Sequence, residues 1–464
     1  MRPRYIVPLM ALSLACSESN GPDGSTAKQI EAIGATQFTA TPLDTVTGWL
    51  TVRVTDPLGK PLPGVPVTWS TLDDGTLIPV SATTDAEGQV QAAWILGWHP
   101  GAQQAHASVA AAPAAVTFAA TAVGFQAQGL STGDGDHICG IALDQRLYCW
   151  GLNNYGQLGD GTTTDSDIPV LVQLAQPVKQ VVTNGDAYGS PSTCALTVGG
   201  EVYCWGNNAS GQLGNGTQAP SSIPVRVELL NGPYKHLDNF AVGACAIATS
   251  GDAYCWGRNR SGRFGAATTP IDVLTPTLVL GGFAWQDFSL GDDRSCGIRV
   301  GGEVYCWGGR PEWLGTRADT ATNTPLPVVH SPLLDSVTVG GYHQCGITSD
   351  HHTYCWGYNF HIGKIDPRTV IPDPMELDSP PLFVSLHSIF KPTFGLGADG
   401  RGYWWGPPPN SSGGGPEAPE SFTGPILIKA LGTAAFDVCG VERASSTVFC
   451  WNGTLRRAYA VPPS

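Results

Sequence analysis

Twelve cysteines stand in six pairs along the last two-thirds of the chain: Cys139/Cys149, Cys194/Cys204, Cys245/Cys255, Cys296/Cys306, Cys345/Cys355 and Cys439/Cys450. Nine residues separate the members of five pairs, and ten separate the last. Cysteines at regular spacing suit cross-linking or metal binding. Zinc favours Cys-x(2–4)-Cys steps that gather four ligands, which these gaps do not supply. A turn lies inside the gaps, as in Val198-Gly199-Gly200, Thr249-Ser250-Gly251 and Val300-Gly301-Gly302, with Gly third each time. That is the pattern of a three-residue hairpin loop closed by a left-handed glycine. Folding on it sets Cys194 opposite Cys204, three steps from the closing pair. Opposed Cα atoms lie ~4.5–5.5 Å apart, within the ~4.4–6.8 Å that a disulfide spans. The spacing therefore predicts six cross-strand disulfides and an oxidising compartment. One further repeat places Phe394 and Trp404 where the pair would be, so both members are missing together.

Other reactive side chains are less organised. His330, His343, His351, His352 and His361 crowd one stretch. The hairpin reading puts His351 and His352 at a loop tip and His343 and His361 at the opposite end, so no metal site is expected there. His137 and His343 share a position two before a Cys, which reads as part of the repeat. Asp160, Asp165 and Asp167 follow one another without the ligand pattern of a calcium loop, and read as solvated turn acids. No nucleophile elbow, phosphate-binding loop or HExxH motif occurs. The sequence thus predicts no catalytic residue, no metal and no cofactor.

Positioning these pairs is a repeat. The phrase YCWG returns at Tyr148–Gly151, Tyr203–Gly206, Tyr254–Gly257, Tyr305–Gly308 and Tyr354–Gly357, then loosens to YWWG and FCWN. Its tryptophans are Trp150, Trp205, Trp256, Trp307, Trp356, Trp405 and Trp451, spaced 46 to 55 residues apart. Such a period marks one unit copied in an array, and seven units of that size suit a closed β-propeller. One Trp per unit at fixed register reads as core. Composition agrees with an all-β fold: 59 Gly and 37 Pro punctuate the chain, only 13% of residues are charged, and no helical periodicity runs long. The net charge of −14 repels phosphate backbones, so no nucleic-acid partner is expected.

The first repeat also holds Gly133, His137, Asn153-Asn154, Gly156-Gln157-Leu158-Gly159 and Ile168-Pro169-Val170; the second holds Gly211-Gln212-Leu213-Gly214 and Ile223-Pro224-Val225. With these motifs residues 125–464 resemble the regulator of chromosome condensation repeat family. The resemblance implies a seven-bladed propeller of four-stranded blades, with Trp and the Leu of GQLG between blades. It leaves function open. The later loops depart from the motif, at Trp313-Leu314-Gly315 and in a Pro/Gly/Ser tract at 407–419.

Ahead of the repeats, residues 28–122 lack Cys and alternate apolar and polar positions between turns, as an antiparallel sandwich of about seven strands would. DPLGKPLPGVPVTW and TTDAEGQVQAAWILG resemble bacterial Ig-like domains of the invasin and intimin type, which implies an extracellular spacer. Arg2 and Arg4 precede an apolar stretch ending Leu12-Ser13-Leu14-Ala15-Cys16. That resembles a bacterial lipoprotein signal with Cys16 as the lipidated residue, although Ser13 and Leu14 depart from the usual order. An ordinary cleaved signal is the alternative. Residues 17–27 read as a flexible linker.

Together these features predict an exported, monomeric, non-enzymatic envelope scaffold. It would be an outer-membrane or cell-surface lipoprotein, otherwise periplasmic or secreted. A loop face of the propeller would take a protein or glycan partner, and membrane contact would come only through the lipid. Two alternatives stand: an inhibitor of an envelope enzyme, resembling a β-lactamase-inhibiting propeller, and guanine-nucleotide exchange by family name, which export and acidity disfavour.

Overall fold

The computed structural model describes residues 28–40, 45–72, 75–97, 101–110, 112–122, 124–133, 137–184, 190–228, 232–240, 242–266, 270–358, 370–378, 380–388, 391–407, 418–423, 427–433, 438–444, 446–451 and 456–458. Two compact units result, one on residues up to Ala120 and one from Thr121 onward, apart from two short segments of the earlier stretch that group with the second. Among the described residues helix is confined to the 3-10 turns Arg260–Gly262 and Pro311–Trp313, and none is long and apolar enough to cross a membrane.

The first unit has nine strands where the sequence suggested about seven. One sheet runs β1 (Gln29–Ile33), β3 (Leu50–Thr55), β7 (Gln89–Ile95), β5 (Thr76–Ile78); the other runs β2 (Gln37–Ala40), β9 (Val116–Ala122), β8 (Gly101–Ser108), β4 (Pro66–Thr71), β6 (Ser81–Thr83). The short β5 and β6 and the Ala/Gln-rich β8 carry little apolar alternation, which is why they were illegible. Alternation holds where it was read: Val67 and Trp69 on β4 are buried between exposed neighbours, and Val90, Ala92 and Trp94 on β7 are buried between exposed or half-buried ones. The Asp56 carboxylate accepts from the Leu58 and Lys60 N–H groups, and Asp85 does the same for Glu87 and Gln89, fixing the two turns.

In the second unit seven four-stranded sheets follow one another, each from four consecutive strands. Their first, innermost strands are Ala127–Gly133, Val178–Asn184, Tyr234–Phe240, Trp285–Leu290, Ser336–Val339, Phe383–Ser388 and Ile428–Thr433. We number the sheets as blades 1 to 7. The second and third strands form the cysteine hairpins. The loop residue just before the third strand has positive φ throughout: Gln145, Gly200, Gly251, Gly302, His351 and Gly400, third in a three-residue loop, and Ser446, fourth in a four-residue loop. Non-glycines thus fill a left-handed position in three blades.

That loop residue is also a joint. Its carbonyl accepts from the segment entering the next blade, as in Val178 N to Gln145 O at 2.9 Å, Tyr234 N to Gly200 O at 2.9 Å and Trp285 N to Gly251 O at 2.8 Å. The ring closes with the same bond, Ala127 N to Ser446 O at 2.8 Å, beside the bridge Gln126↔Thr447. Among the described residues no strand is exchanged between the first and last blades. Phe125, Tyr148 and Trp150 instead pack with Cys439, Val441 and Cys450 across the closure.

Candidate functional site

The six cysteine pairs face each other across their hairpins in register, Cys194↔Cys204 for example, and are disulfide-bonded with Cα atoms 4.0–4.1 Å apart. Cys139, Cys149, Cys194, Cys204, Cys245, Cys255, Cys296, Cys306, Cys345, Cys355 and Cys439 have at most 1% exposure, and Cys450 has 4%. The bonds lie in the cores between blades. Cys194 and Cys204, for instance, share a cluster with Leu237 and Tyr254 of the next blade. Several disulfides suggest an oxidising location. Cys16 lies outside the described residues.

Trp150, Trp205, Trp256, Trp307, Trp356 and Trp405 are buried. Trp451 ends its strand, Val448–Trp451, and its side chain lies outside the described residues. The GQLG loop of one blade covers the Trp of the next. Trp205 Nε1 donates to Gln157 O at 2.8 Å, Trp256 Nε1 to Gln212 O at 3.0 Å and Trp307 Nε1 to Arg263 O at 2.9 Å. A Cβ on Gly159, at φ +72°, would sit 2.6 Å from the Trp205 indole nitrogen, so the loop's close approach requires glycine. Asn153 and Asn208 hold these loops, each accepting from the Leu N–H and donating to two loop carbonyls.

The histidines do not converge. His137 and His343 are buried, and their Nε2 atoms hydrogen-bond the hydroxyls of Thr193 and Thr393 in the following blade. His351 and His352 stand at a hairpin tip, His352 against Glu376; His330 lies 3.7 Å from Asp373. The Glu376 hydrogen bond raises the His352 pKa. His361 lies outside the described residues, and among those described no three potential ligands gather as a metal site. Asp160 accepts from the Thr162 N–H and hydroxyl, and Asp165 from the Asn153 N–H, so both fasten turns.

Two features escaped sequence reasoning. The first is the channel. One register of the innermost strands, opposite the first Cys position, presents Ser131, Val182, Asp238, Ser289, Thr338, His387 and Gly432 in turn. Four of these side chains accept an N–H from the next blade: Ser131 from Thr183, Asp238 from Leu290, Ser289 from Val339 and Thr338 from Ser388, at 2.7–3.1 Å. Two residues earlier, Gln180 and Asp287 accept from Leu237 and Val337. These polar groups are clasps between blades. Burial pushes the Asp238 carboxyl up to about 6 despite nearby His236, and raises Asp287 as well. The His387 side chain is exposed to the channel, yet desolvation by the surrounding wall lowers its imidazole to about 4. A polar residue recurring at this register in five of the seven blades was the available signal, hidden because those strands align only through their pairing.

The second feature is an aromatic and cationic cluster where strands enter and leave the loop ends of blades 3 to 5. The Arg294 and Arg310 guanidinium carbons lie 4.7 and 5.0 Å from the Trp313 ring centroid. Tyr342 and Tyr358 pack at 5.7 and 6.0 Å from it. Arg294 is buried, donates to Gly341 O at 2.8 Å and meets Asp293 at 3.0 Å, while desolvation lowers its pKa. Arg263, also buried, donates to the Arg258 and Gly291 carbonyls, and desolvation lowers it to about 10. Arg260 and Arg310, by contrast, are about half exposed. Trp313, 7% exposed, occupies the register of Gln157, Gln212 and Arg263, so the packing position has become the buried centre of an aromatic cluster.

Sequence profiles of the regulator of chromosome condensation (RCC1) repeat match residues 144–187 and 199–243, and a second profile of the repeat matches 129–157 and 182–212. RCC1 repeats are thus found within residues 129–243. These are consistent with an RCC1-like β-propeller. The chain is 32% identical over 197 residues to the E3 ubiquitin-protein ligase HERC2 of Homo sapiens, covering 40% of this chain and 4% of the ligase. It is 30% identical over 169 residues to the ultraviolet-B receptor UVR8 of Arabidopsis thaliana, covering 35% of this chain and 37% of the receptor. It thus spans a small fraction of the first relative and about a third of the second. Prp20p from Saccharomyces cerevisiae superposes with a TM-score of 0.57 at 18% identity, over 70% of this chain and 87% of that one, which shows an all-β, propeller-like fold.

Proposed function

We propose that this chain is a non-enzymatic, exported binding scaffold whose RCC1-like propeller takes a protein or glycan partner on the loop face of blades 3 to 5. The observation that carries this reading is the Arg310–Trp313–Arg294 stack with Tyr342 and Tyr358. Half-exposed Arg310 and Arg260, held by a buried Trp313 and flanked by Tyr342 and Tyr358, have the composition of an interaction hot spot, and they stand on a protein of net charge −14. RCC1-like propellers are often protein-interaction scaffolds, and the study of yeast Prp20p concerns its binding to Gsp1p and histones. Residues 28–122 act as an Ig-like spacer and Cys16 as a lipid anchor in this reading, with six disulfides suited to the compartment.

Charge reversal at Arg260 and Arg310 tests it. Proximity labelling from the exported protein should lose its main targets in the Arg260→Glu/Arg310→Glu variant, while the melting temperature stays within a few degrees of the parent. Unchanged labelling with a folded variant would sink the loop-face reading.

A further inference from the structure

Six of the seven innermost strands carry a β-bulge near their start, between Ala127 and Gly129 in blade 1 and at the matching place in blades 2, 3, 4, 6 and 7. The extra residues are Gln128, Lys179, Lys235, Gln286, Val384 and Lys429. A bulge re-aims its side chain out of the strand's alternation. Here the side chains run around the channel mouth at the hairpin-tip end. Lys179 Nζ donates to Lys235 O at 3.2 Å, Lys235 Nζ to Trp285 O at 3.0 Å and Gln286 Nε2 to Asp335 O at 3.3 Å, each carbonyl in the next blade, while Lys429 reaches the Ser446 hydroxyl. The chain has seven lysines, and three of them stand at this one register, so the bulges gather the charge there. Ring closure sets blade 7 beside blade 1, which puts Lys429, Lys179 and Lys235 on one arc. Arg443, exposed at the blade 7 hairpin tip, lies against Gly400 and joins them. Among the described residues none of these four cations forms an ion pair, and each lysine spends one of its three donors. Acids of the hairpins are otherwise engaged: Asp144 meets Arg146 at 2.6 Å, Glu201 meets Arg226 at 3.0 Å and Glu303 meets Arg299 at 2.7 Å. Exposed Asp335 stands on the opposite arc. A protein of net charge −14 thus keeps an uncompensated positive arc at one mouth. Leu382, Val384 and Leu427, of blades 6 and 7, are about half exposed on the same side.

We propose that this mouth docks a slender acidic peptide segment bearing large apolar side chains, its carboxylates on the three lysines and Arg443 and its apolar residues against Val384 and its neighbours. Charge complementarity of this kind steers encounter and selects the partner. A flat anionic membrane fits less well, because it would press on the hairpin acids Asp350 and Asp399, whose side chains are 73% and 44% exposed. Asp238 and Asp287, farther along the same strands, keep an acidic segment at the mouth and out of the channel. This surface lies at the opposite end of the strands from Arg310 and Trp313, so either proposal stands if the other fails.

Lysine footprinting of the whole protein tests this, with a fluorescein-labelled peptide of repeated Glu-Glu-Leu units as probe and its Gln-Gln-Leu counterpart as neutral control. Acetylation of Lys179, Lys235 and Lys429 by a succinimidyl ester, read by mass spectrometry, should fall at least threefold with the acidic peptide and not with the neutral one. Lys60 of the first unit should react unchanged. Fluorescence anisotropy should show saturable binding that weakens as salt rises. It should weaken at least tenfold in Lys179→Glu/Lys235→Glu/Lys429→Glu and stay unchanged in Lys60→Glu. No saturation up to about 1 mM peptide overturns the proposal. So does equal protection by the neutral peptide, protection of Lys60 as strong as that of the mouth lysines, or a flat salt profile. Undiminished binding by the triple variant, shown folded by a thermal melt, overturns it as well; if that variant melts early, the footprint on the parent decides. Phosphatidylglycerol vesicles that protect the three lysines as well as the peptide does would overturn it in favour of a membrane surface.

Discussion

Blades 2 and 6 solve one packing problem with different chemistry. In blade 2 the Cys194–Cys204 bond fills the slot facing blade 3, among Leu196, Leu237 and Tyr254. In blade 6 the same register holds Phe394 opposite Trp404, and Phe394 packs with Leu396, Ile428 and Leu431 of blades 6 and 7. Phe422 closes on Phe394 edge-on at 6.1 Å. The fourth strands differ too: six residues in blade 2, Ser221–Arg226, against two in blade 6, Glu420–Ser421. The disulfide is therefore not what makes a blade. It is a small, dry plug between blades, and bulk aromatics can take its place.

That equivalence sets an order of costs. Phe394→Ala should be the most damaging change, because it empties a buried slot with no covalent link to hold the hairpin. Large aromatic-to-alanine core changes cost about 3–5 kcal/mol. Urea unfolding monitored on the propeller would measure it, and a loss below about 1 kcal/mol would mean that the aromatic pair does not substitute for the bond. Removing the bond in blade 2 with Cys194→Ala/Cys204→Ala should cost less, about 2–3 kcal/mol, since the closed loop is short and the entropic gain modest. The same unfolding experiment ranks the two. If the cysteine variant loses more than the phenylalanine variant, the slot is held mainly by the covalent link.

The contrast also explains what could be read from sequence. Cys pairing across a three-residue loop is a local fact: the glycine at the loop's third position and the count to each Cys fix the register. The Trp and GQLG positions were legible because they repeat. Gln145, His351 and Ser446 show the limit of that reasoning, since non-glycines take the left-handed loop position there; the carbonyls of Gln145 and Ser446 make the joint to the next blade, while His351 meets Phe383 O through Nδ1. The channel clasps were not legible. They join residues about fifty positions apart, such as Asp238 to Leu290 and Thr338 to Ser388, and a lone Asp or Thr in a strand carries no mark of its partner. Trp313 was visible only as a decayed motif. Its stacking on Arg294 and Arg310 depends on how adjoining loops meet.

Blades 2 and 6 also share a lack that sharpens the comparison. At the register where blades 1, 3, 4 and 5 clasp their neighbours, blade 2 has Val182 and blade 6 has His387, and neither clasps among the described residues. A clasp is thus useful but not obligatory, and a charged one carries a cost. Burial raises the Asp238 carboxyl to about 6 in the fold, above its value of ~3.9 in an unfolded chain. Between those values the folded state binds the extra proton, so stability rises as pH falls from 7 toward 4 and then levels. Asp238→Asn keeps an acceptor for Leu290 and removes the charge. It should stabilise the protein at pH 7 by about 1–2 kcal/mol, a figure reduced because the side chain is only partly buried, and it should flatten the pH dependence between 4 and 7. Melting curves of parent and variant across that range check both signs. A variant less stable than the parent at pH 7 would mean that the ionised clasp is worth more than its burial costs, and the uncharged joints of blades 2 and 6 would then be the weaker ones.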